Sequence, residues 1–187
     1  MVNKIEKNNI KNKEKSEKSN PMRDIFIDSI VLHGSSADTQ RLERMKKLLK
    51  IVSSQEPKQT LAIKRIPAFK IRPGLHIGWK VTIRKNTHAM LKNLLLGAKD
   101  IKKKQFNQGF FSFGIKEYIE VPNIPYQRDI GIMGFDVAVT LKRRGWRIKE
   151  RKIKKNRINK AHQISKEETL DFFQKNFTIP FEEKARL

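Results

Sequence analysis

The sequence predicts an α+β fold, in which a mostly antiparallel sheet has helices packed on one face and is extended by basic loops and an N-terminal tail. Apolar and polar residues alternate with a period of two over residues 77–84, 111–116 and 135–142, which is typical of strands with one buried face. Apolar residues recur at helical spacing over residues 42–52. The second face of the sheet and the basic loops would be free to contact a partner.

Composition restricts the class of that partner. The chain has 187 residues, 37% of them hydrophobic, and a formal net charge of +23. Its length suffices for one domain of about 150 residues plus tails. So large a positive charge indicates a polyanionic partner, and nucleic acid is favoured over an acidic membrane or protein. No run approaches the roughly 18 apolar residues of a membrane span, and the first residues lack the pattern of a secretory signal.

The chain is predicted to begin with a basic tail over residues 1–20, which has too few apolar residues to form a core. We expect this tail to be disordered in the free protein, as a solvated segment or as one that folds onto RNA. Residues 21–179 would form the RNA-binding domain, and residues 180–187 a C-terminal tail. The first strand is predicted over residues 24–33, where both faces are largely apolar, which suggests that a helix buries it.

A first helix is predicted to follow, with Asp38 or Thr39 as its N-cap. Residues 55–73 are basic and interrupted by proline, so their length predicts a protruding loop flanked by short strand pieces. Residues 77–84 form the clearest strand, which has an apolar face and a polar, basic face. The polar face consists of Gly78, Lys80, Thr82 and Arg84.

A second helix is predicted to begin after Asn86 or Thr87 and to end at Leu96, with Gly97 as its stop. Two prolines lie between the alternating runs at 111–116 and 135–142, so the connection between these strands is predicted to be a loop.

Residues 142–160 are the most basic part of the chain, with eleven Lys and Arg against Glu150 alone. We expect this segment to be unstructured in the free protein and to become ordered on RNA. Trp146 and three isoleucines are available there to pack or to stack. Ser165 and Glu168 then form a capping box before an amphipathic closing helix. The basic residues predicted to contact RNA are Lys80, Arg84, Arg143, Arg144, Arg147, Arg151, Lys152, Lys154, Lys155 and Arg157.

No catalytic constellation is found in the sequence. It contains no glycine-rich phosphate loop and no nucleophile elbow, and its four histidines lack metal-ligand spacing. The absence of cysteine excludes disulfides and any cysteine-ligated metal. We therefore predict no enzyme activity, no cofactor and no metal site.

Four motifs together resemble one known family. They are FSFGIKEYI at residues 111–119, DIGIMGFDVAVTL at 129–141, IGWKVTIR at 77–84 and HQISKEETLDFFQKNF at 162–177. They are similar to motifs of the large-subunit ribosomal protein that binds 5S ribosomal RNA (rRNA), the universal protein-five family, called protein eleven in eukaryotes. The last motif resembles the archaeal and eukaryotic type. The resemblance covers roughly residues 20–177 and independently implies the α+β fold.

The resemblance implies a structural role in the large ribosomal subunit, in the cytoplasm. Members of the family dock 5S rRNA and large-subunit rRNA in the central protuberance, beside a second 5S-binding protein. They also form a bridge to a protein of the small-subunit head, and a protruding loop contacts P-site tRNA. By matching positions, the 5S rRNA contacts fall at His33, Gln55 and Thr82. The tRNA-contact loop would contain Pro57, Lys58, Gln59, Thr60, Lys64 and Arg65.

The chain departs from the family pattern at three places. His33 and Phe110 each replace Asn, and Gln127-Arg128 replaces Asp-Pro. Phe110 and the Gln127-Arg128 pair are expected to lie in loops, which leaves the fold prediction unchanged. A histidine can still donate a hydrogen bond or stack on a base.

Two alternatives come from other classes of protein. One is an RNA-processing enzyme, which would need an acid, a base or a metal set. The other is a free-standing RNA-binding or chromatin-like protein outside the ribosome. Co-sedimentation with large ribosomal subunits would distinguish all three.

Overall fold

The computed structural model describes residues 20–98 and 101–177, so both predicted tails lie outside the described residues except for Asn20. The described part contains one six-stranded sheet with the strand order β2-β3-β1-β6-β5-β4, in which all neighbouring strands are antiparallel. The strands are β1 (Ile25–Ser35), β2 (Lys58–Leu61), β3 (His76–Ile83), β4 (Phe106–Asn107), β5 (Phe110–Ile115) and β6 (Phe135–Arg143).

Helices cover one face of this sheet, which confirms the predicted α+β fold. Helix α1 packs against β3 and β1, helix α2 against β1, and helix α4 against β4. Their apolar side chains join those of the strands in a single core cluster. The α-helices within the described residues are α1 (Thr39–Ser53), α2 (Thr87–Leu96), the single-turn α3 (Arg147–Glu150) and α4 (Lys166–Asn176).

The helix ends follow the predicted signals. Asp38 is the N-cap of α1, and its side chain accepts a hydrogen bond from the backbone N–H of Gln40 at 3.1 Å. Helix α2 ends at Gly97, whose φ of −84° is open to any residue. A Cβ at this position would lie 3.0 Å from Cγ2 of Val121, so close packing, and not a left-handed backbone, requires the glycine.

Strand β1 contains an irregularity that the sequence analysis missed. Its pairing with β6 shifts register between Ile27 and Ser29, which means that a β-bulge inserts one extra residue. Beyond the bulge the alternation changes phase, so Ile25 and Ile27 lie on the same face as Ile30 and Leu32. The apparent apolar character of both faces is therefore one apolar face whose phase the bulge interrupts.

The structure also adds the two-residue strand β4, which is too short to show any periodicity. It pairs with β5 through a tight turn at Gly109, whose φ is +68°. Phe110 begins β5 opposite Thr140, so its predicted loop position is wrong. Gln127 and Arg128 do lie in the irregular connection between β5 and β6, as expected.

Arg143 ends β6, and its predicted contact with RNA is wrong because its side chain is only 6% exposed. The guanidinium donates to Oε1 of Glu168 at 2.6 Å and to the carbonyls of His162 and Gln163 at 3.4 Å each. A guanidinium held in this way cannot reach a phosphate. It instead ties the end of the central strand to the start of α4.

The carboxylate of Glu168 also completes the predicted capping box with Ser165. Partial burial acts to raise the pKa of Glu168, but hydrogen bonds from the Ser165 backbone N–H and the Arg143 guanidinium outweigh it and hold the pKa below its usual value. A carboxyl group with a lowered folded-state pKa stabilises the fold at neutral pH. That contribution is lost as the pH falls through the folded-state pKa.

Lys142 fixes the beginning of the basic region in a similar way. Its ammonium group lies 2.8 Å from Oδ2 of Asp28 and 2.5 Å from Oε1 of Glu150, and its side chain is only 12% exposed. The expectation that residues 142–160 lack structure is therefore wrong for their first nine residues, which finish β6 and form α3.

Arg143→Ala should lower the free energy of unfolding of the purified protein by about 2 kcal/mol, since it removes a charged hydrogen bond to Glu168. Arg144→Ala is the matched control: the neighbouring side chain is exposed, and its loss should change the free energy by less than about 0.5 kcal/mol. Urea unfolding at neutral pH measures both values. Equal losses in the two variants would contradict the stabilising role of the Arg143–Glu168 pair.

Candidate nucleic-acid interface

The sheet face turned away from the core is called the open face here, and cross-strand register arranges its side chains in rows. Where the residues are opposite each other, they share a row from one strand to the next. One row across β2, β3, β1, β6 and β5 consists of Lys58, Lys80, His33, Asp136 and Gly114. The next row, from β3 to β5, consists of Thr82, Val31, Ala138 and Ser112.

Small residues make part of the open face flat. A Cβ at Gly78 would lie 2.8 Å from Oγ1 of Thr60, 3.3 Å from Nε2 of His33 and 2.7 Å from the carbonyl oxygen of Gly34. The hydroxyl and the imidazole therefore flank a shallow depression at Gly78. A flat surface with such groups can approach the sugar and phosphate groups of RNA.

The positive charge of the open face is concentrated at one edge. Lys58 and Lys80 lie directly opposite each other on β2 and β3, and both are exposed. Arg84, just beyond β3, is also exposed. Like charges directly opposite each other destabilise a pair of strands. A phosphate group placed between the two ammonium groups would remove this repulsion, so the edge is suited to bind anions.

The predicted 5S rRNA contacts lie at this same edge. His33 and Thr82 point from the open face on neighbouring strands, two positions apart, and both are half-buried. Gln55 is exposed and precedes β2 by three residues. Because β2 begins opposite Lys80, the chain that carries Gln55 enters the sheet at the end of β3 where Thr82 lies.

The predicted tRNA-contact loop is divided between two structures, which corrects its boundaries. Lys58, Gln59 and Thr60 belong to the edge strand β2, and Pro57 just before it is buried. This strand was not predicted because both of its faces are partly exposed and its residues do not alternate in polarity. The projecting part is shorter and comprises residues 62–75, called the hairpin here.

Backbone hydrogen bonds close the hairpin. The N–H of Ala62 donates to the carbonyl of Leu75 at 2.8 Å, and Ile66 and Ile71 exchange two further bonds at 3.0 and 3.1 Å. Lys64 and Arg65 lie exposed between these two closures. The hairpin therefore presents its two predicted tRNA-contact cations on a defined backbone.

The remaining predicted RNA contacts lie beyond β6, in residues 144–160, called the basic segment here. Its backbone folds back on α3, since the N–H of Asn156 donates to the carbonyl of Ile148 at 3.2 Å. Nε of Arg151 donates to the carbonyl of Lys154 at 2.7 Å. The predicted contact residues that the structure leaves exposed are Arg144, Arg147, Arg151, Lys152, Lys154, Lys155 and Arg157.

The basic segment and the open face form a continuous surface. Phe110 and Thr140 of the open face line a cavity of about 280 Å3 together with Trp146 and Lys149 of the basic segment. Sequence reasoning could not find this continuity, because it depends on the fold of the chain after β6.

Two further observations concern other classes of site. Among residues 20–98 and 101–177, the structure contains no group of three or more His, Asp or Glu side chains that could hold a metal ion. In the same part of the chain, no helix has the length and apolar character needed to cross a membrane.

A sheet with helices on one face and cations, hydroxyls and an imidazole on the other is typical of a nucleic-acid-binding α+β protein. Residues 76–172 match the family model that describes the C-terminus of the ribosomal uL5 proteins. The chain is 37% identical to the large ribosomal subunit protein uL5 of Nanoarchaeum equitans over 163 residues, which are 85% of this chain and 96% of that relative.

Other archaeal relatives are similar over nearly the same span. The uL5 protein of Picrophilus torridus is 40% identical over 165 residues, which are 86% of this chain and 94% of the relative. The uL5 protein of Caldivirga maquilingensis is 41% identical over 157 residues, with coverages of 82% and 80%. The chain therefore belongs to the uL5 family of large ribosomal subunit proteins.

Membership of this family confirms the resemblance found in the sequence, and with it a structural role in the cytoplasmic ribosome. The family consists of structural ribosomal proteins and not of enzymes, so the predicted lack of catalytic activity is confirmed on that basis. Binding to rRNA within the large subunit is expected for such a protein.

Lys80→Gln should raise the free energy of unfolding of the free protein by about 0.2–1 kcal/mol, because it removes the repulsion from Lys58. Urea unfolding at low salt measures the change, and the gain should shrink at 1 M salt, where the Debye length is about 3 Å. Lys92→Gln, at an exposed position on α2, is the charge-matched control and should show little gain. A destabilised Lys80→Gln protein would contradict the proposed repulsion.

Proposed function

We propose that this protein binds 5S rRNA through the edge of the open face formed by β2, β3 and β1, and so helps to hold that RNA in the central protuberance. The observation that carries the proposal is the grouping of His33 and Thr82 beside the Lys58–Lys80 pair on an uncovered sheet face. The hydroxyl and imidazole can bond to sugar hydroxyls and base edges, which sets the register. The lysines contribute affinity by neutralising phosphates and releasing counterions.

We propose that the basic segment binds large-subunit rRNA. The two acidic groups nearest its base, Glu150 and Glu168, are already paired with Lys142 and Arg143. Between residues 151 and 160 the chain contains six Lys and Arg and no acidic residue. Phosphates can therefore reach these cations without competition from carboxylates of the same segment.

Two protein partners are proposed from family membership: the second 5S-binding protein and a protein of the small-subunit head across the bridge. The connection between β5 and β6 offers a suitable surface. Ile119, Tyr126 and Ile132 are 41%, 56% and 70% exposed there. The hydroxyl of Tyr118 accepts a hydrogen bond from the backbone N–H of Gln127 at 2.9 Å, which holds this connection in place. Clustered exposed apolar side chains are typical of protein contacts.

The hairpin is proposed to contact P-site tRNA. Its closed backbone holds Lys64 and Arg65 away from the sheet, where they can meet phosphates of a partner that the open face does not touch. The revised boundaries leave Lys58 and Thr60 to 5S rRNA, because both lie in the rows of the open face.

Gln55→Ala combined with Thr82→Ala should weaken 5S rRNA binding by roughly 1–3 kcal/mol in total, as expected for the loss of two neutral hydrogen bonds. The slope of log K against log salt should stay unchanged, since no charge is removed. Lys58→Gln with Lys80→Gln is the complementary variant, and each lost phosphate contact should make that slope shallower by about 0.7–0.9. Filter binding at several salt concentrations measures both effects. Wild-type affinity in the Gln55/Thr82 variant would refute this assignment.

Lys64→Gln combined with Arg65→Gln should leave assembly of large subunits intact but weaken the binding of tRNA to the P site. Lys152→Gln with Lys154→Gln is the control with the same loss of charge, and it should show the reverse pattern, with poor incorporation into subunits. Sucrose-gradient sedimentation measures incorporation, and tRNA binding is then measured on the purified ribosomes. Normal P-site affinity in the hairpin variant would contradict its proposed contact.

A further inference from the structure

The basic segment surrounds a cavity of about 760 Å3 that the proposed contacts with phosphate do not use. This volume lies within the roughly 300–1,000 Å3 range of small-ligand sites. Its walls combine the indole of Trp146 with four cations, Lys149, Lys155, Arg157 and Lys160. No carboxylate is among the residues that line it.

Local backbone geometry builds this cavity. Gly145, with a φ of +88°, ends β6 with a sharp turn that only glycine adopts readily, and it places Trp146 at the start of α3. The return of the chain at Asn156 to Ile148 brings residues 155–158 opposite the indole. The ring of His162 bonds to the carbonyl of Arg144 at 2.9 Å and closes the base of the segment.

The chemistry of the walls selects the ligand. Trp146 is only partly exposed, and the ammonium group of Lys149 lies 5.1 Å from its ring centroid. An aromatic side chain beside cations suits a flat, electron-rich ring that carries a negative group nearby. Asn156 and Gln163 also line the cavity, and their amide groups can pair with the edge of a base. A nucleotide has all of these features.

A second observation indicates a strand and not a free nucleotide. Trp146, Lys149 and Gln163 line both this cavity and the cavity of about 280 Å3 that reaches the open face at Phe110. The two spaces therefore share a wall, so a chain of nucleotides could continue from one into the other. Bases that are not paired can leave a strand and stack on aromatic side chains in this way.

We propose that the cavity takes one unpaired nucleotide of ribosomal RNA, with its base stacked on Trp146 and its flanking phosphates on the surrounding cations. This inference rests on the proposed binding of rRNA by the basic segment. It adds a contact that depends on the base, where the cations alone would recognise only phosphate.

The test compares two oligomers that carry the same number of phosphates: hexaadenylate and an abasic hexamer. Full-length protein should bind hexaadenylate about 5- to 100-fold more tightly at equal salt, the range expected for stacking of one base. Trp146→Leu should abolish this preference and keep the affinity for the abasic hexamer. Trp146→Phe, which retains an aromatic face, should keep most of the preference.

Fluorescence gives an independent readout. Trp79, the second tryptophan, is only 7% exposed, so acrylamide should quench mainly Trp146. Hexaadenylate should protect this emission from acrylamide, and the abasic hexamer should not. Melting curves of both Trp146 variants show whether either substitution unfolds the protein. If Trp146→Leu does not fold, the protection and the wild-type preference still decide the proposal.

Equal affinities for the two oligomers, or a preference that survives Trp146→Leu, would overturn the proposal. Adenosine monophosphate bound as tightly as hexaadenylate would also overturn it, since the site would then accept a free nucleotide. If these results came with normal, Thr82-dependent binding of 5S rRNA, only the stacking site would be wrong. Loss of binding to every RNA would instead contradict the proposed function as well.

Discussion

Burial of one sheet face positions every group that the other face offers to RNA. Ile30, Leu32 and Val137 are fully buried, and each such side chain stabilises the fold by about 1.5–3 kcal/mol relative to exposure. A slip of one residue between strands would turn these side chains to solvent, so the core fixes the register. The same register sets His33 and Thr82 on the opposite face at fixed separations, although neither side chain contributes to the core.

The distribution of acidic residues divides the cations into two kinds. Asp28, Glu150 and Glu168 lie where β6 ends, and they neutralise Lys142 and Arg143. These two cations hold the fold together and are nearly inaccessible. The cations that follow have no comparable concentration of carboxylates around them, so their mutual repulsion is relieved only by an external polyanion. The end of β6 therefore marks the change from cations that support the structure to cations that are available for binding.

The sequence was informative wherever a local pattern determined the outcome. The alternation in β3 placed Lys80 and Thr82 on the polar face correctly, and the capping box before α4 was recognised from Ser165 and Glu168 alone. Arg143 was assigned wrongly because its partner lies 25 residues away, and composition does not distinguish a buried arginine from an exposed one. The short strand β4 and the cavity beside Trp146 were missed for a related reason, since both depend on contacts between segments distant in sequence.

The β-bulge in β1 has a consequence for how the length of this chain can vary. Residue 28 is the extra residue between two regularly paired stretches of strand, so its deletion would join them in an uninterrupted ladder. Removing a codon elsewhere within β1 or β6 would instead move apolar side chains to the wrong face. The sheet thus contains one position at which a gap in an alignment of homologues would be structurally neutral for the core. Such a gap would, however, deprive Lys142 of its contact with Asp28.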